Sequence, residues 1–148
     1  MDQHLAKLAQ KKNIKHQGLE TPLEQLQYFD NLSLIQQEQF LIDVILQQDD
    51  TRYSDALKEW YIKGDEQGFL KLQEEFSSLD PQQKQLDDLL IKGLLHERNK
   101  KLTKRIDILL QHQPTLQYFF AIGAGHMSGE SGIVQSLRKR GYRIEKID

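Results

Sequence analysis

Apolar residues recur at helical spacing along most of this sequence, and this pattern limits the fold more than any other feature. The clearest example is a stripe spaced i, i+3, i+4, i+7 and i+8, which a glycine at position 64 should terminate. The stripe consists of Tyr53, Ala56, Leu57, Trp60 and Tyr61. Because an amphipathic helix must bury its apolar face, the pattern predicts a folded, helix-rich protein and argues against disorder.

Local start and stop signals predict six further helices. Two capping boxes, Thr21 to Glu24 and Ser33 to Gln36, each begin a helix, and the second of these helices should end between residues 48 and 50. Asp80-Pro81 begins a long helical stretch that Gly93 can bend or divide. The remaining helices should run from Asp2 to about Lys12, from Asp65 through Phe76, and from about Ile133 to Gly141.

Three short segments have the composition of strands. Residues 116–122 (LQYFFAI) form a continuous apolar run, which predicts a strand buried on both faces, and residues 14–19 and 142–147 predict two more. A strand, a helix and a second strand in this order favour a right-handed parallel crossover. We therefore expect a single α/β domain over residues 1–148, rich in helices, with a small and mainly parallel sheet.

Charge and cysteine content exclude several classes of protein. The 148 residues carry 20 basic and 22 acidic side chains, a net charge of −2, so no overall positive field would attract nucleic acid. There is no cysteine, which excludes disulfides, thiolate metal sites and cysteine nucleophiles. No apolar window is long enough to span a membrane, and the first 20 residues do not resemble an export signal.

Two predicted strand ends place chemistry-bearing residues at one edge of the expected sheet. Glu20 follows the first strand, and the turn from Gly123 through Gly125 to His126 follows the second. A carboxylate and an imidazole are a partial ligand set for a divalent metal. Two alternatives stay open: Glu20 can simply serve a helix dipole, with His126 solvated, or the glycine turn can cradle a small anion. The glycine spacing does not match a dinucleotide-binding fingerprint.

Four ordered segments of the sequence resemble the TraB/PrgY/GumN family, relatives of the TIKI metalloproteases. The match covers nearly the whole chain. The strongest segment is residues 118–132, with Leu137 and Gly141-Tyr142 after it. The other matching segments are Gly18-Leu19-Glu20-Thr21 with Glu24-Gln25, Trp60 with Gly64-Asp65, and Glu97-Arg98-Asn99.

The resemblance implies a metal-dependent hydrolase related in fold to erythromycin esterase. Such a site is assembled from two GxxH motifs and a carboxylate, and residues 123–126 fit the second motif. His126 and Glu20 would then bind Mn, Co or Zn, with Gly123 and Gly125 close to the cofactor. Glu20 would be a ligand or general base, Arg98 and Glu130 would support catalysis, and the substrate would be a peptide or protein. From its pattern alone, Arg98 can form a bidentate carboxylate pair or an ordinary surface pair, and the residue pattern favours the surface pair.

The first GxxH motif of the family is expected on a strand well upstream of the Leu19-Glu20-Thr21 segment, and no such motif precedes that segment in this sequence. We therefore expect the chain to correspond to the C-terminal half of a family member, with the missing N-terminal half or a second copy of itself as partner. A homodimer is the expected assembly, with the Trp60 helix or the stretch from Leu86 to Leu109 contributing. The alternative function is a noncatalytic binding module. The residues do not separate a peptidase from an esterase, and the resemblance alone suggests the bacterial cell envelope or periplasm.

Overall fold

The computed structural model describes residues 2–46, 51–64, 68–77 and 80–147. Within these ranges no helix is long and apolar enough to cross a membrane. The helices in chain order are α1 (Asp2–Lys11), α2 (Pro22–Asp30), α3 (Leu34–Leu46), α4 (Arg52–Lys63), α5 (Gly68–Glu75), α6 (Pro81–Ile91), a π-helical segment (Lys92–Glu97), α7 (Arg98–His112), a 3₁₀ turn (Ala124–His126) and α8 (Ile133–Arg138).

The predicted helix boundaries are largely confirmed, because short-range hydrogen bonds set them. Thr21 and Glu24 form the expected capping box at the start of α2. At the start of α3, the backbone nitrogen of Gln36 donates to Ser33 Oγ over 3.3 Å, and the backbone nitrogen of Ser33 donates to Gln36 Oε1. Gly64 ends α4 in the left-handed region, at φ 60°. The expected helix start at Asp65 and the expected end between residues 48 and 50 lie outside the described residues.

The long stretch after Asp80 is divided, as Gly93 suggested. α6 passes into the π-helical segment, which contains Gly93, and α7 begins at Arg98. The absence of a side chain on Gly93 lets the Tyr28 ring of α2 approach the helix backbone, since a Cβ there would lie 3.0 Å from Tyr28 Cδ1. A π-helical segment rotates the residues that follow it relative to a regular α-helix, and such segments are frequent at functional sites.

Helices α7 and α8 hold the centre of the hydrophobic core. Leu102 and Ile106 on α7 pack with Ile133 and Leu137 on α8, and all four are buried. Each pair is spaced by four residues, so each pair lies on one helix face. Partly buried side chains surround this centre: Leu19, Leu110, Phe120, Ile122, Tyr142 and Ile144.

The expected sheet is not formed. Segments 14–19, 116–122 and 142–147 contain no strand, and neither does any other described residue, so the α/β prediction is wrong for this part of the chain. Each segment instead contributes side chains such as Leu19, Phe120 and Ile144 to the α7–α8 core. Phe119 is 81% exposed, so the run is not buried on both faces. An apolar run indicates that a segment packs against another element of the fold. Here that element is a helix, and packing on a helix requires no backbone hydrogen bonds between strands.

Helix α3 exposes much of its apolar surface. Leu34, Ile35 and Leu46 are each at least 75% exposed. Exposed apolar patches are typical of surfaces that contact other protein. In contrast, Leu86 and Leu102 of the stretch expected to mediate association are buried inside the chain. A surface of this kind can be covered in several ways, so self-association stays a prediction. The single domain over residues 1–148 also stays a prediction.

Asp107 provides a test of how the C-terminal segment is held. Its carboxylate accepts from Tyr142 Oη at 2.7 Å and from Arg140 Nη1 at 2.6 Å, and these partners hold its pKa below the usual 3.8. A depressed carboxyl pKa stabilises the fold above the unfolded pKa, and this stabilisation is lost as the pH falls through the folded pKa. We expect wild type to be more stable than Asp107→Asn at pH 6, with the gap closing in acid. Urea unfolding followed by circular dichroism measures the free energy of unfolding of both proteins. A difference between them that does not change with pH would contradict the prediction.

Candidate metal centre

A buried ion pair joins two segments that are far apart in the sequence. Arg98, the first residue of α7, donates from Nε to Glu20 Oε2 over 3.1 Å and from Nη2 to Glu20 Oε1. Arg98 Nη1 also donates to the Leu94 carbonyl at 3.2 Å. The Arg98 and Glu20 side chains are only 17% and 13% exposed. Arg98 therefore forms the bidentate carboxylate pair, and the surface pair that the residue pattern favoured is wrong.

Asn99, the next residue, holds the imidazole of His126. Its Nδ2 donates to the Ser131 carbonyl at 3.0 Å, so its Oδ1 is the atom that faces His126 Nδ1, 2.7 Å away. Because an amide oxygen only accepts, Nδ1 of His126 carries the hydrogen and Nε2 keeps its lone pair. Asn99 is 2% exposed, which fixes this arrangement in the interior. Nε2 is thus the atom available to a ligand.

At neutral pH the cluster combines a neutral imidazole with a carboxylate whose charge Arg98 balances. Burial lowers the pKa of His126, and the positive charge of Arg98 lowers it further against the opposing effect of Glu20, so the imidazole is neutral at pH 7. Burial by itself would raise the pKa of Glu20, but the hydrogen bonds and charge of Arg98 outweigh it and the pKa is lowered. A carboxylate and a neutral imidazole are therefore present together at neutral pH. Both are forms that bind divalent metals.

An open cleft of about 570 Å³ lies beside His126. The turn from Gly123 to His126 forms one side of it, and mainly aromatic and aliphatic side chains form the rest. At Gly125 a Cβ would lie 3.2 Å from the Phe69 ring, so glycine allows the turn to pack closely on that ring. The other lining residues are Tyr53, Leu57, Lys58, Trp60, Tyr61 and Leu95.

The structure brings most of the candidate site residues together, with one exception and one addition. Glu20, Arg98 and His126 form one cluster, whereas the Glu130 side chain is 78% exposed and pairs with Lys139 at 2.8 Å. Glu130 is therefore not part of this cluster. Asn99 was not among the candidates, although its position directly after Arg98 in the Glu97-Arg98-Asn99 segment was a usable signal.

The donors present fit only part of a metal site. Glu20 and His126 supply two ligands, and the described ranges contain no group of three acidic or histidine side chains able to hold an ion. Glu20 Oε1 accepts from Arg98 Nη2 and from Gln25 Nε2 at 3.0 Å, and Oε2 accepts from Arg98 Nε, so one lone pair, on Oε2, is left for a cation. A complete site would need ligands from water, substrate or other protein segments.

Asn99→Leu tests how the imidazole is oriented. Removing the Oδ1 acceptor should release Nδ1–H of His126, and the ring should shift toward the tautomer protonated at Nε2. The ¹⁵N shifts of the two ring nitrogens report this change directly in a two-dimensional NMR spectrum. His112 is the internal control, because its Nδ1 contacts the Ile108 carbonyl at 2.9 Å and should not change. An unchanged His126 tautomer would show that Asn99 does not set the ring orientation.

Comparison with known proteins identifies the relatives of this chain. The model of the TraB/PrgY/gumN family matches residues 1–146. Metalloprotease TIKI1 of Danio rerio is 39% identical over 61 residues, which are 41% of this chain and 12% of the relative. Human metalloprotease TIKI1 is 36% identical over 73 residues, 47% of this chain and 14% of the relative. The metalloprotease TIKI homolog of Amphimedon queenslandica is 37% identical over 62 residues, 42% of this chain and 12% of the relative.

These curated relatives are much longer than the segment they share with this chain, which covers 12–14% of their length. No solved structure matches the chain. The family model, in contrast, extends over 146 of the 148 residues. The chain therefore belongs to the TraB/PrgY/gumN family.

Proposed function

We propose that this chain forms part of a metal-dependent peptide hydrolase, in which His126 and Glu20 bind the metal. The observation that carries the proposal is the meeting of Glu20, Arg98, Asn99 and His126 at one place, although they come from three distant segments. The relatives are named metalloproteases, which favours a peptide over an ester substrate. A divalent cation would polarise the scissile carbonyl and lower the pKa of a bound water.

Each residue of the cluster has a distinct task in this proposal. His126 offers Nε2 to the cation, and Asn99 holds the ring in the tautomer that makes this possible. Arg98 keeps Glu20 ionised and oriented through two hydrogen bonds. Because the pKa of Glu20 is lowered, its carboxylate is better suited to bind a cation than to act as general base. Gly125 contributes by letting the turn pack closely on Phe69.

A noncatalytic binding module is the second candidate function. It is favoured by the donor count, since the described residues supply two ligands where catalytic zinc sites use three. Other protein segments or a second copy of the chain would supply the further ligands in the hydrolase proposal. A location in the bacterial cell envelope is proposed from the resemblance alone, and cell fractionation with an antibody against the chain would test it.

Metal titration separates the two candidate functions. We expect calorimetry with Mn²⁺, Co²⁺ or Zn²⁺ to detect one binding site per 148-residue chain, because a carboxylate and a neutral imidazole converge there. His126→Ala should lose this site, whereas His112→Ala, which removes an exposed histidine, should retain it. Tight stoichiometric binding to the wild type would count against the noncatalytic module, and absence of binding, also at protein concentrations at which the chain self-associates, would favour it. Equal binding by both variants would show that His126 is not a ligand.

A further inference from the structure

The cleft beside His126 is unusually rich in aromatic rings. Trp60 and Phe69 lie with their ring centroids 5.0 Å apart, and Tyr53 and Tyr61 line the same space. Tyr61 is 67% exposed and Tyr53 38%, so ring surface is available to a ligand. The volume of about 570 Å³ falls within the range of about 300–1,000 Å³ found for small-molecule sites.

The polar groups of the cleft are few, and they limit what it can accept. Lys58 is the one cation of its lining among the described residues, and its Nζ pairs with Asp55 at 2.9 Å. The cleft therefore offers no uncompensated charge to an anion. Aromatic rings in tilted arrangements gain contact energy with another ring beyond that from area burial alone. The chemistry of the lining thus favours an aromatic side chain over a charged or small polar one.

The position of the cleft selects a peptide as the carrier of that side chain. The turn containing His126 forms one wall, so the cleft borders the imidazole of the proposed metal site. A side chain seated among the rings would place its own peptide backbone beside this turn. A substrate bound in this way gains specificity from the side chain and orientation from the backbone.

We propose that this cleft, lined by Tyr53, Trp60, Tyr61 and Phe69, binds an aromatic side chain of a peptide next to His126. The role as a substrate subsite rests on the proposed hydrolase function, but binding itself does not require a metal. The cleft would thereby set a preference for aromatic residues near the cleaved bond.

The protein contains one tryptophan, Trp60, which makes the proposal directly measurable. We expect N-acetyl-L-phenylalaninamide to change Trp60 fluorescence saturably, with a Kd on the order of 1 mM for so small a ligand, and N-acetyl-L-alaninamide to have no saturable effect. Tyr61→Lys should weaken binding by about tenfold or more, because it places a charge in the aromatic lining. Its neighbour Ile62 is 82% exposed and does not line the cleft, so Ile62→Lys is the matched control and should bind normally.

The measurement is made with and without EDTA, so that its outcome is independent of the metal. A saturable change in Trp60 fluorescence that persists in EDTA supports the cleft proposal, even if calorimetry detects no metal binding. Normal metal binding without a fluorescence change overturns the cleft proposal and leaves the metal-site proposal intact. Equal responses to both amides, or equal weakening by Tyr61→Lys and Ile62→Lys, would also overturn it. So would a Trp60 signal that changes with protein concentration and is insensitive to the amide, since the cleft would then be covered by another copy. Tyr61→Phe keeps the aromatic ring, so this variant should bind the amide as the wild type does.

Discussion

Replacing His126 with alanine should reduce the proposed metal-dependent peptide hydrolysis by more than about 100-fold. Mutation of a residue that supports a metal ligand typically lowers metal affinity or activity by about 10–100-fold. The loss of a ligand itself should lower activity by more than that. The physical reason is that, among the described residues, His126 supplies the one imidazole of the cluster with Glu20 and Arg98. Cleavage of a fluorogenic peptide in excess Mn²⁺, Co²⁺ or Zn²⁺ measures the effect.

His112→Ala is the control for this loss of activity. His112 lies at the exposed end of α7, where its ring contacts only a backbone carbonyl of its own helix among the contacts described. We expect this variant to hydrolyse the peptide at the wild-type rate. Circular dichroism spectra should be the same for both variants. Full activity of His126→Ala would refute the metal-centre assignment.

Replacing Arg98 with leucine should destabilise the fold by about 3 kcal/mol, because it leaves the carboxylate of Glu20 buried without its partner. The pKa of Glu20 should rise in this variant, since the charge that holds it down is gone while burial remains. Urea unfolding measures the stability loss. The combined variant Glu20→Gln with Arg98→Leu should recover part of it, since the uncompensated charge is then removed.

Helix α7 contains a matched control for Arg98. Arg105 also forms two hydrogen bonds to a carboxylate, that of Glu24, and donates a further one to the Leu19 carbonyl. The number of bonds is thus the same, but the Arg105 and Glu24 side chains are 38% and 26% exposed. Arg105→Leu should therefore cost less stability than Arg98→Leu, because water can solvate the remaining Glu24. Equal losses would show that burial does not govern the Arg98 pair.

The candidate site was predictable from the sequence to a larger extent than the fold around it. Glu20 and His126 were expected to share one crevice at the edge of a parallel sheet, and they do interact although the described residues contain no sheet. The expectation was right about proximity and wrong about its cause. Leu19, Phe120 and Ile122 pack on the same helical core, and this packing brings the two site segments together.

Local features of this protein were determined by the sequence itself. The capping boxes at Thr21 and Ser33 and the stop at Gly64 depend on residues within one or two turns of each other. Hydrogen bonds and backbone preferences act over that range, so the sequence pattern contains them. For the same reason, the periodic stripe around Trp60 correctly predicted α4.

Only the tertiary structure decided which distant residues meet. Whether segments 14–19, 116–122 and 142–147 pair as strands or pack on helices depends on competing partners far away in the sequence, and apolar composition is the same in both cases. The same holds for Asn99, whose role follows from contacts with Ser131 and His126, 32 and 27 residues away. Glu130 is adjacent to Ser131 in sequence, yet its side chain is exposed and pairs with Lys139. The free energy of packing between distant segments determines which of these contacts form, and a local sequence pattern does not contain that information.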